Sequence, residues 1–403
     1  MNILFIHDHE VNPFKGGMQR VTYLLAEEFM QRGHKPVFLS LKNDLQEFSG
    51  KGKFPQFTLS IDELGTKILK DEVEKFINDH NIGFVVLQHP ELRYRAALRD
   101  LNKSVATVFV FHNQPFPLLG KERKIKKTTP ADSLGLKGKL VRLLGICFPK
   151  IFRKLYLQRI GSQYRNIVDS AERFILLSDL YIPRVIDNTP GINKQKIIAI
   201  NNPITFALDE ANVDFDKKEN IILVVCRITN PQKNLTDFID IWKDFSQKKP
   251  DWKAVIVGDG ESREYIEKYV KRKGVKGIQF EGNKENVKDY YRRSKIFCMT
   301  SSYEGWPMVL MENMAFGCVP LAFDTFEALH EIIDDGKDGF IIPPFDKEAM
   351  ADTMAKLADS PQMLKDMAIE GKKKLSRFSV ENIVDQWEPL IAGIKSRQQD
   401  ITS

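Results

Sequence analysis

Short apolar runs alternate with longer amphipathic ones along nearly the whole chain. That alternation predicts parallel strands separated by helices. In the first half the apolar runs predict strands over 3–7, 36–40, 83–88, 106–111, 173–177 and 196–200. The run 18–31 has helical spacing, with Leu24, Leu25 and Phe29 on one face and Gly33 placed to end it. Between 201 and 220 the pattern lapses into Asn-Asn-Pro and an acidic stretch, read as a linker between domains. A second series of strands follows at 221–226, 254–257, 278–280, 296–299, 319–322 and 339–342. The expectation is an α/β protein of two doubly wound domains, 1–203 and 204–379, with a cleft between them. A last helix, 380–398, is expected to fold back on the first domain.

In open parallel sheets ligands collect beyond the C-terminal ends of the strands, so the residues that end each strand are the candidates for chemistry. Glu304-Gly305-Trp306-Pro307-Met308-Val309-Leu310-Met311-Glu312 follows directly on an apolar strand. Pro307 and Gly317 bracket a short helix there. One carboxylate then lies in the loop and the other on the helix, on the order of 8 Å apart. Two acceptors at that separation suit the sugar and the ribose of one nucleotide sugar, and the helix N-terminus between them suits a diphosphate. At the first strand of the second series, Arg227 ends the run and Lys233 precedes a helix, a planar fork and a point charge fit to clamp a diphosphate. Val257-Gly258-Asp259-Gly260 predicts a close approach of backbone to ligand.

In the first domain, Gly16 and Gly17 open a helix and leave room for an anion or a sugar. His112 ends a strand and is a candidate contact to the transferred sugar. His7-Asp8-His9 raises the question of a metal, but neighbouring residues at a strand end face opposite sides. The Asp214-Phe215-Asp216 triplet falls in the linker rather than after a strand, so no metal requirement and no cofactor are expected.

Composition changes this picture little. The 403 residues, 42% hydrophobic and 28% charged, suit two globular domains. No apolar run is long enough to span a bilayer, and the N-terminus reads as a strand without the marks of a secretion signal. Cys147, Cys226, Cys298 and Cys318 lack metal-ligand spacing and are expected as buried thiols in a reducing cytoplasm. Charge is informative only locally. Residues 120–165 carry about a dozen Lys and Arg against only Glu122 and Asp132, leaving the rest of a +6 chain net acidic. Within that region Leu140, Leu144, Cys147, Ile151 and Leu155 recur at helical spacing, expected as a core face. The cations around them would favour an anionic leaflet. Nucleic acid is disfavoured, since no stacking platform accompanies the charge.

Taken together, Gly16-Gly17 with its helix to Gly33, His112, the Arg227/Lys233 pair and Glu304-x₇-Glu312 resemble the retaining glycosyltransferases of family 4. Ala315-Phe316-Gly317-Cys318-Val319-Pro320 and Gly336-Lys337-Asp338-Gly339 extend the likeness over almost the full length. The resemblance implies a GT-B fold, two facing Rossmann-like domains with a deep interdomain cleft, the second binding the donor and the first the acceptor. It implies that Arg227 and Lys233 neutralise the leaving diphosphate and that Glu312 holds the ribose hydroxyls. Glu304 would contact the transferred sugar, amides near Met308 and Val309 the phosphate, and Gly16, Gly17 and His112 the reaction centre. The expected reaction moves a sugar, from a UDP-sugar in preference to a GDP-sugar, onto a saccharide or lipid-linked saccharide in bacterial surface polysaccharide assembly. The expected place is the cytoplasm, at the inner face of the membrane. The segment 326–330 departs from the family's small Gly- or Pro-containing loop, so sugar preference is not legible there. Two competitors share the fold: a nucleotide-sugar 2-epimerase and a non-catalytic nucleotide-sugar-binding protein.

Overall fold

The computed structural model describes residues 1–42, 52–88, 98, 101, 105–119, 147–206, 208 and 214–402. Among the described residues thirteen strands form two sheets. The first contains β1 (Asn2–His7), β2 (Lys35–Ser40), β3 (Gln56–Thr58), β4 (Ile82–Gln88), β5 (Ala106–Phe111), β6 (Arg173–Leu176) and β7 (Ile197–Ala199), in the order β3-β2-β1-β4-β5-β6-β7. The second contains β8 (Glu219–Val225), β9 (Lys253–Val257), β10 (Ile278–Gly282), β11 (Ser294–Met299), β12 (Val319–Phe323) and β13 (Phe340–Ile342), in the order β10-β9-β8-β11-β12-β13. The neighbouring strands pair in parallel. The central strands are buried along most of their length, which is why they appear in the sequence as unbroken apolar runs.

The chain divides into two compact units. One comprises Met1–Asn113, Leu157–Thr205 and Phe378–Ser403, the other Gln114–Tyr156 and Phe206–Arg377. The expected first domain is continuous from 1 to 203, whereas the described residues 114–119 and 147–156 group with the second unit. There Gln114 donates to the Glu327 carboxylate at 2.7 Å, and Phe116 meets the edge of Tyr156. In the first unit the helix Gly17–Gln31 ends where Gly33 takes a left-handed φ of 81°, closed by His34 N–H donating to the Phe29 carbonyl at 2.9 Å. The helix Val380–Thr402 lies against it: Arg32 bonds Asp385 at 2.6 Å and the Glu381 carbonyl at 3.0 Å, and Phe29 meets Trp387 edge-on.

In the second unit the helix Leu235–Lys248 buries Leu235, Phe238, Ile239, Ile241, Trp242 and Phe245. That three-and-four spacing lays a continuous stripe against the sheet, where it joins Trp252, Ile266 and Met354 in one core. The Trp242 indole N–H is satisfied by the Lys276 carbonyl at 2.8 Å. This rigid layer holds the β8 and β11 ends where the candidate residues sit.

Candidate functional site

Strand order reverses at β8: β9 and β10 lie on one side, β11 to β13 on the other. The loops leaving the C-terminal ends of β8 and β11 therefore lead to opposite sides of the sheet, the usual ligand position in an open α/β sheet. The expected donor residues fall on these two loops and the helix after the second. The loop after β8 is fixed first by the loop after β9. Cys226 N–H donates to the Val257 carbonyl at 3.0 Å, Ile228 N–H to the Asp259 carbonyl at 2.8 Å, and Ser262 N–H to the Ile228 carbonyl at 3.0 Å. Such contact leaves no room for side chains. A Cβ on Gly258, whose φ is +130°, would lie 1.9 Å from the Cys226 carbonyl oxygen, and one on Gly260 2.5 Å from that of Ile228. The close approach predicted at Gly258 is thus one of backbone to backbone.

A second set of bonds ties the same loop to the one after β11. Thr300 Oγ1 donates to the Lys233 and Asn234 carbonyls at 3.1 and 3.2 Å. Ser302 N–H donates to the Gln232 carbonyl at 2.7 Å, and its hydroxyl to that of Pro231 at 3.0 Å. Asn234, fully buried with φ 50°, turns the chain into the next helix and donates to Asp237 at 2.8 Å. The outcome is an ion pair. Lys233 Nζ donates to Glu304 Oε1 at 2.7 Å, with the two side chains 18% and 9% exposed. Burial pulls the Lys233 pKa down, but the Glu304 carboxylate more than offsets it, so the ammonium is held above its ordinary range. Arg227 is exposed at the rim, and its charge acts on Lys233 and Tyr303. Cys226 beside the pair is pushed up to about 12, first by burial and then by the Glu304 charge.

After Glu304 the chain passes through buried Gly305 and Trp306 to Pro307, which caps the helix Met308–Ala315 in an extended conformation. Met308 is buried and Val309 half-buried. Leu310 N–H turns back to the Pro307 carbonyl at 3.0 Å, while the Met308 and Val309 N–H groups have no carbonyl within the helix to pair with. Glu312 lies deeper, 4% exposed, and its Oε2 accepts the Tyr291 hydroxyl at 2.9 Å. Gly317, at φ 69°, ends the helix, with Cys318 N–H returning to the Asn313 carbonyl at 2.9 Å. Downstream, Asp338 is buried and accepts Asp334 N–H at 2.7 Å, while a Cβ on Gly339 would lie 2.6 Å from the Pro320 carbonyl oxygen. The Gly336–Gly339 segment is thus a turn packed against β12.

In the first unit Gly16 is extended at φ 173°, and a Cβ there would meet nothing within 4 Å. Unlike Gly258, it answers no steric demand of its own loop. Gly17 opens the helix beside it. His112, half-buried at the end of β5, is hydrogen-bonded through Nε2 to Gln88 Oε1 at the end of β4. His7 is buried, and desolvation with the His9 charge pulls its pKa down to about 3, leaving the ring neutral. Among the described residues no group of three or more His, Cys, Asp or Glu could hold a metal ion.

Two expectations need correcting. Cys147 is exposed, while Cys298 and Cys318 are buried and Cys226 partly so. The apolar stripe at 140–155 is also not a core face where it is described. Leu140 and Leu144 lie outside the described residues, but Ile151 and Leu155, on the helix Pro149–Ser170, are 61% and 60% exposed. Phe148 is exposed beside them. The basic run 120–146 likewise lies outside the described residues. Sequence reasoning missed Tyr291, Thr300, Ser302 and Ser262, which hold the site residues in place without belonging to a motif.

Residues 206–374 match the family described as Glycosyl transferases group 1. A Campylobacter jejuni enzyme is 29% identical over 50% of this chain and 56% of its own length. It is named as an alpha-1,4-N-acetyl-D-galactosaminyltransferase acting on a diphospho-undecaprenol-linked glycan. An amylovoran biosynthesis glycosyltransferase of Erwinia amylovora is 34% identical over 44% of this chain and 49% of its own. The chain thus spans about half the length of these curated relatives. Anabaena HepE, solved with UDP, superposes with a TM-score of 0.72 at 17% identity, covering 98% of this chain and 100% of its own. The pneumococcal O-GlcNAc transferase GtfA, solved with UDP and GlcNAc, gives 0.70 at 13%, covering 98% and 99%. At those identities the likeness establishes the GT-B fold.

Proposed function

We propose, from the match of residues 206–374 to the group 1 glycosyl transferases, that this GT-B protein moves a sugar from a nucleoside-diphosphate donor onto a saccharide or lipid-linked saccharide, with retention at the anomeric carbon. The observation that carries the reading is the Lys233–Glu304 pair at the β8 and β11 ends, with Arg227 at its rim. Without donor the two charges neutralise each other. With donor, the diphosphate takes Lys233 and Arg227, and a hydroxyl of the transferred sugar takes Glu304. Glu312 takes the ribose, and the amides near Met308 and Val309 face phosphate. The departing diphosphate leaves on the face where the acceptor attacks, so catalysis consists of positioning and charge stabilisation, with no metal ion required. Gly16, Gly17 and His112 are assigned to the transferred sugar. UDP is the favoured nucleotide, in line with the UDP held by the structural neighbours. The galactosaminyltransferase and amylovoran relatives favour a bacterial surface glycan as acceptor.

A membrane-facing surface belongs to the same reading. On the helix Pro149–Ser170 the exposed Ile151 and Leu155 are interleaved with Lys150, Arg153 and Lys154. Apolar side chains among cations suit the interface of an anionic bilayer, where a lipid-linked acceptor resides. Among the described residues no helix is long and apolar enough to cross a membrane.

The test is nucleotide release from a panel of UDP- and GDP-sugars, with and without a lipid-linked saccharide, followed by NMR assignment of the product anomer. Acceptor-dependent release with a retained α-linkage supports the reading. Conversion of the nucleotide sugar to its epimer without acceptor would install the isomerase in its place, and binding without turnover a non-catalytic protein.

A further inference from the structure

We propose that Tyr291 is a positioning residue for the nucleotide, its hydroxyl setting the Glu312 carboxylate for the ribose diol of a nucleoside diphosphate. The inference rests on the assignment of Glu312 to the ribose. Tyr291 belongs to the short helix Lys288–Arg293, outside the segment that bears the two glutamates. Its ring is fully buried and stacks on Phe316 at 6.0 Å and 13°, with Phe206 and Phe297 tilted against it. Its carbonyl accepts the buried Lys218 ammonium at 2.8 Å and the Cys318 thiol at 3.1 Å. Lys218 Nζ also caps the carbonyls of Arg292 and Ser294, at 3.1 and 2.7 Å. Backbone and ring are both held, so the phenol has one direction to point, and it meets Glu312 Oε2 at 2.9 Å.

A hydroxyl donating to a carboxylate is charge-assisted and occupies one of its roughly four acceptor sites. It fixes the rotation of the carboxylate about its own axis. The other oxygen is then presented in one orientation to the vicinal hydroxyls of a ribose. A side chain serving only to fill the core needs no hydroxyl here; phenylalanine would stack on Phe316 as well.

The experiment compares the affinities of UDP and 2′,3′-dideoxy-UDP, and of the matching GDP pair, for the full chain and for Tyr291→Phe and Glu312→Gln. The wild type should prefer the ribo form by on the order of tenfold or more, the worth of hydrogen bonds to a charged group. Tyr291→Phe should shrink that preference at least about fivefold, raising KM for the donor with little change in kcat. The ratio is read on one preparation, so a partly unfolded variant lowers both affinities alike and leaves it intact. A Tyr291→Phe ratio equal to that of the wild type overturns the role of Tyr291 while Glu312→Gln still loses the preference. An undiminished ratio in Glu312→Gln overturns the ribose assignment itself, and the Tyr291 proposal with it.

Discussion

Lys233 Nζ sits 2.7 Å from Glu304 Oε1, and both side chains are mostly shielded from water. Two residues 71 positions apart meet because Thr300 and Ser302 stitch the loop after β8 to the loop after β11. Removing one partner strands the other charge at low exposure, which costs about 3–5 kcal/mol for a buried pair. Lys233→Met should therefore lower the melting temperature clearly. Lys233→Met with Glu304→Gln should recover much of that loss. Turnover should stay down by about 100-fold or more in both, as for loss of a group that stabilises transition-state charge. Thermal melts and initial rates on the single and double variants check this.

Gly258→Ala introduces a Cβ 1.9 Å from the Cys226 carbonyl, at a φ of +130°. Strain and overlap together should destabilise the protein by at least about 2 kcal/mol. They should also shift the loop carrying Arg227 and Lys233, so donor binding weakens with stability. Gly16→Ala meets nothing within 4 Å in an extended backbone. It should melt within about 0.5 kcal/mol of the wild type. Denaturant titration distinguishes the two.

The four thiols should separate sharply in reactivity. Cys147 is exposed, Cys298 and Cys318 are buried, and burial pushes Cys226 up to about 12, so it is protonated at neutral pH. One equivalent of maleimide should add quickly to the native protein at pH 7, with three more reacting on unfolding. Peptide mapping should place the fast label on Cys147.

How much of this was legible in the sequence depends on what each residue touches. Twelve of the thirteen strands among the described residues stand out, the central ones because buried parallel strands are apolar on both faces. The missed one, β3, is three residues long at the sheet edge, with Phe57 partly exposed. Arg227, Lys233, Glu304 and Glu312 are legible as candidates because the loops and helices after strand ends are where an open sheet places its ligands. Tyr291 is not, since its part depends on a contact across 21 positions from a helix with no motif of its own. The stripe through Ile151 and Leu155 shows the opposite failure. Helical spacing reveals that one face is apolar, but not what, if anything, covers it.

That exposed face makes its own prediction. Ile151→Asp with Leu155→Asp replaces two apolar contacts by charges that an anionic surface repels. The partition constant for vesicles containing anionic lipid, read by co-sedimentation, should fall by more than about tenfold, toward the level seen with neutral vesicles, at on the order of 1 kcal/mol per altered charge. Because both side chains are mostly exposed, the melting temperature should hardly move.

If the β8 and β11 loops form a nucleoside-diphosphate site, calorimetric titration of UDP reads its occupancy. The wild type should bind UDP with one site per chain. Arg227→Ala should weaken binding by on the order of tenfold or more, the worth of a charge-assisted hydrogen bond to phosphate. Arg227 is exposed, so the variant should keep the fold and melt close to the wild type. UDP binding to Arg227→Ala with unchanged affinity, or no binding of UDP or GDP to the wild type, would mean that these loops do not hold the diphosphate.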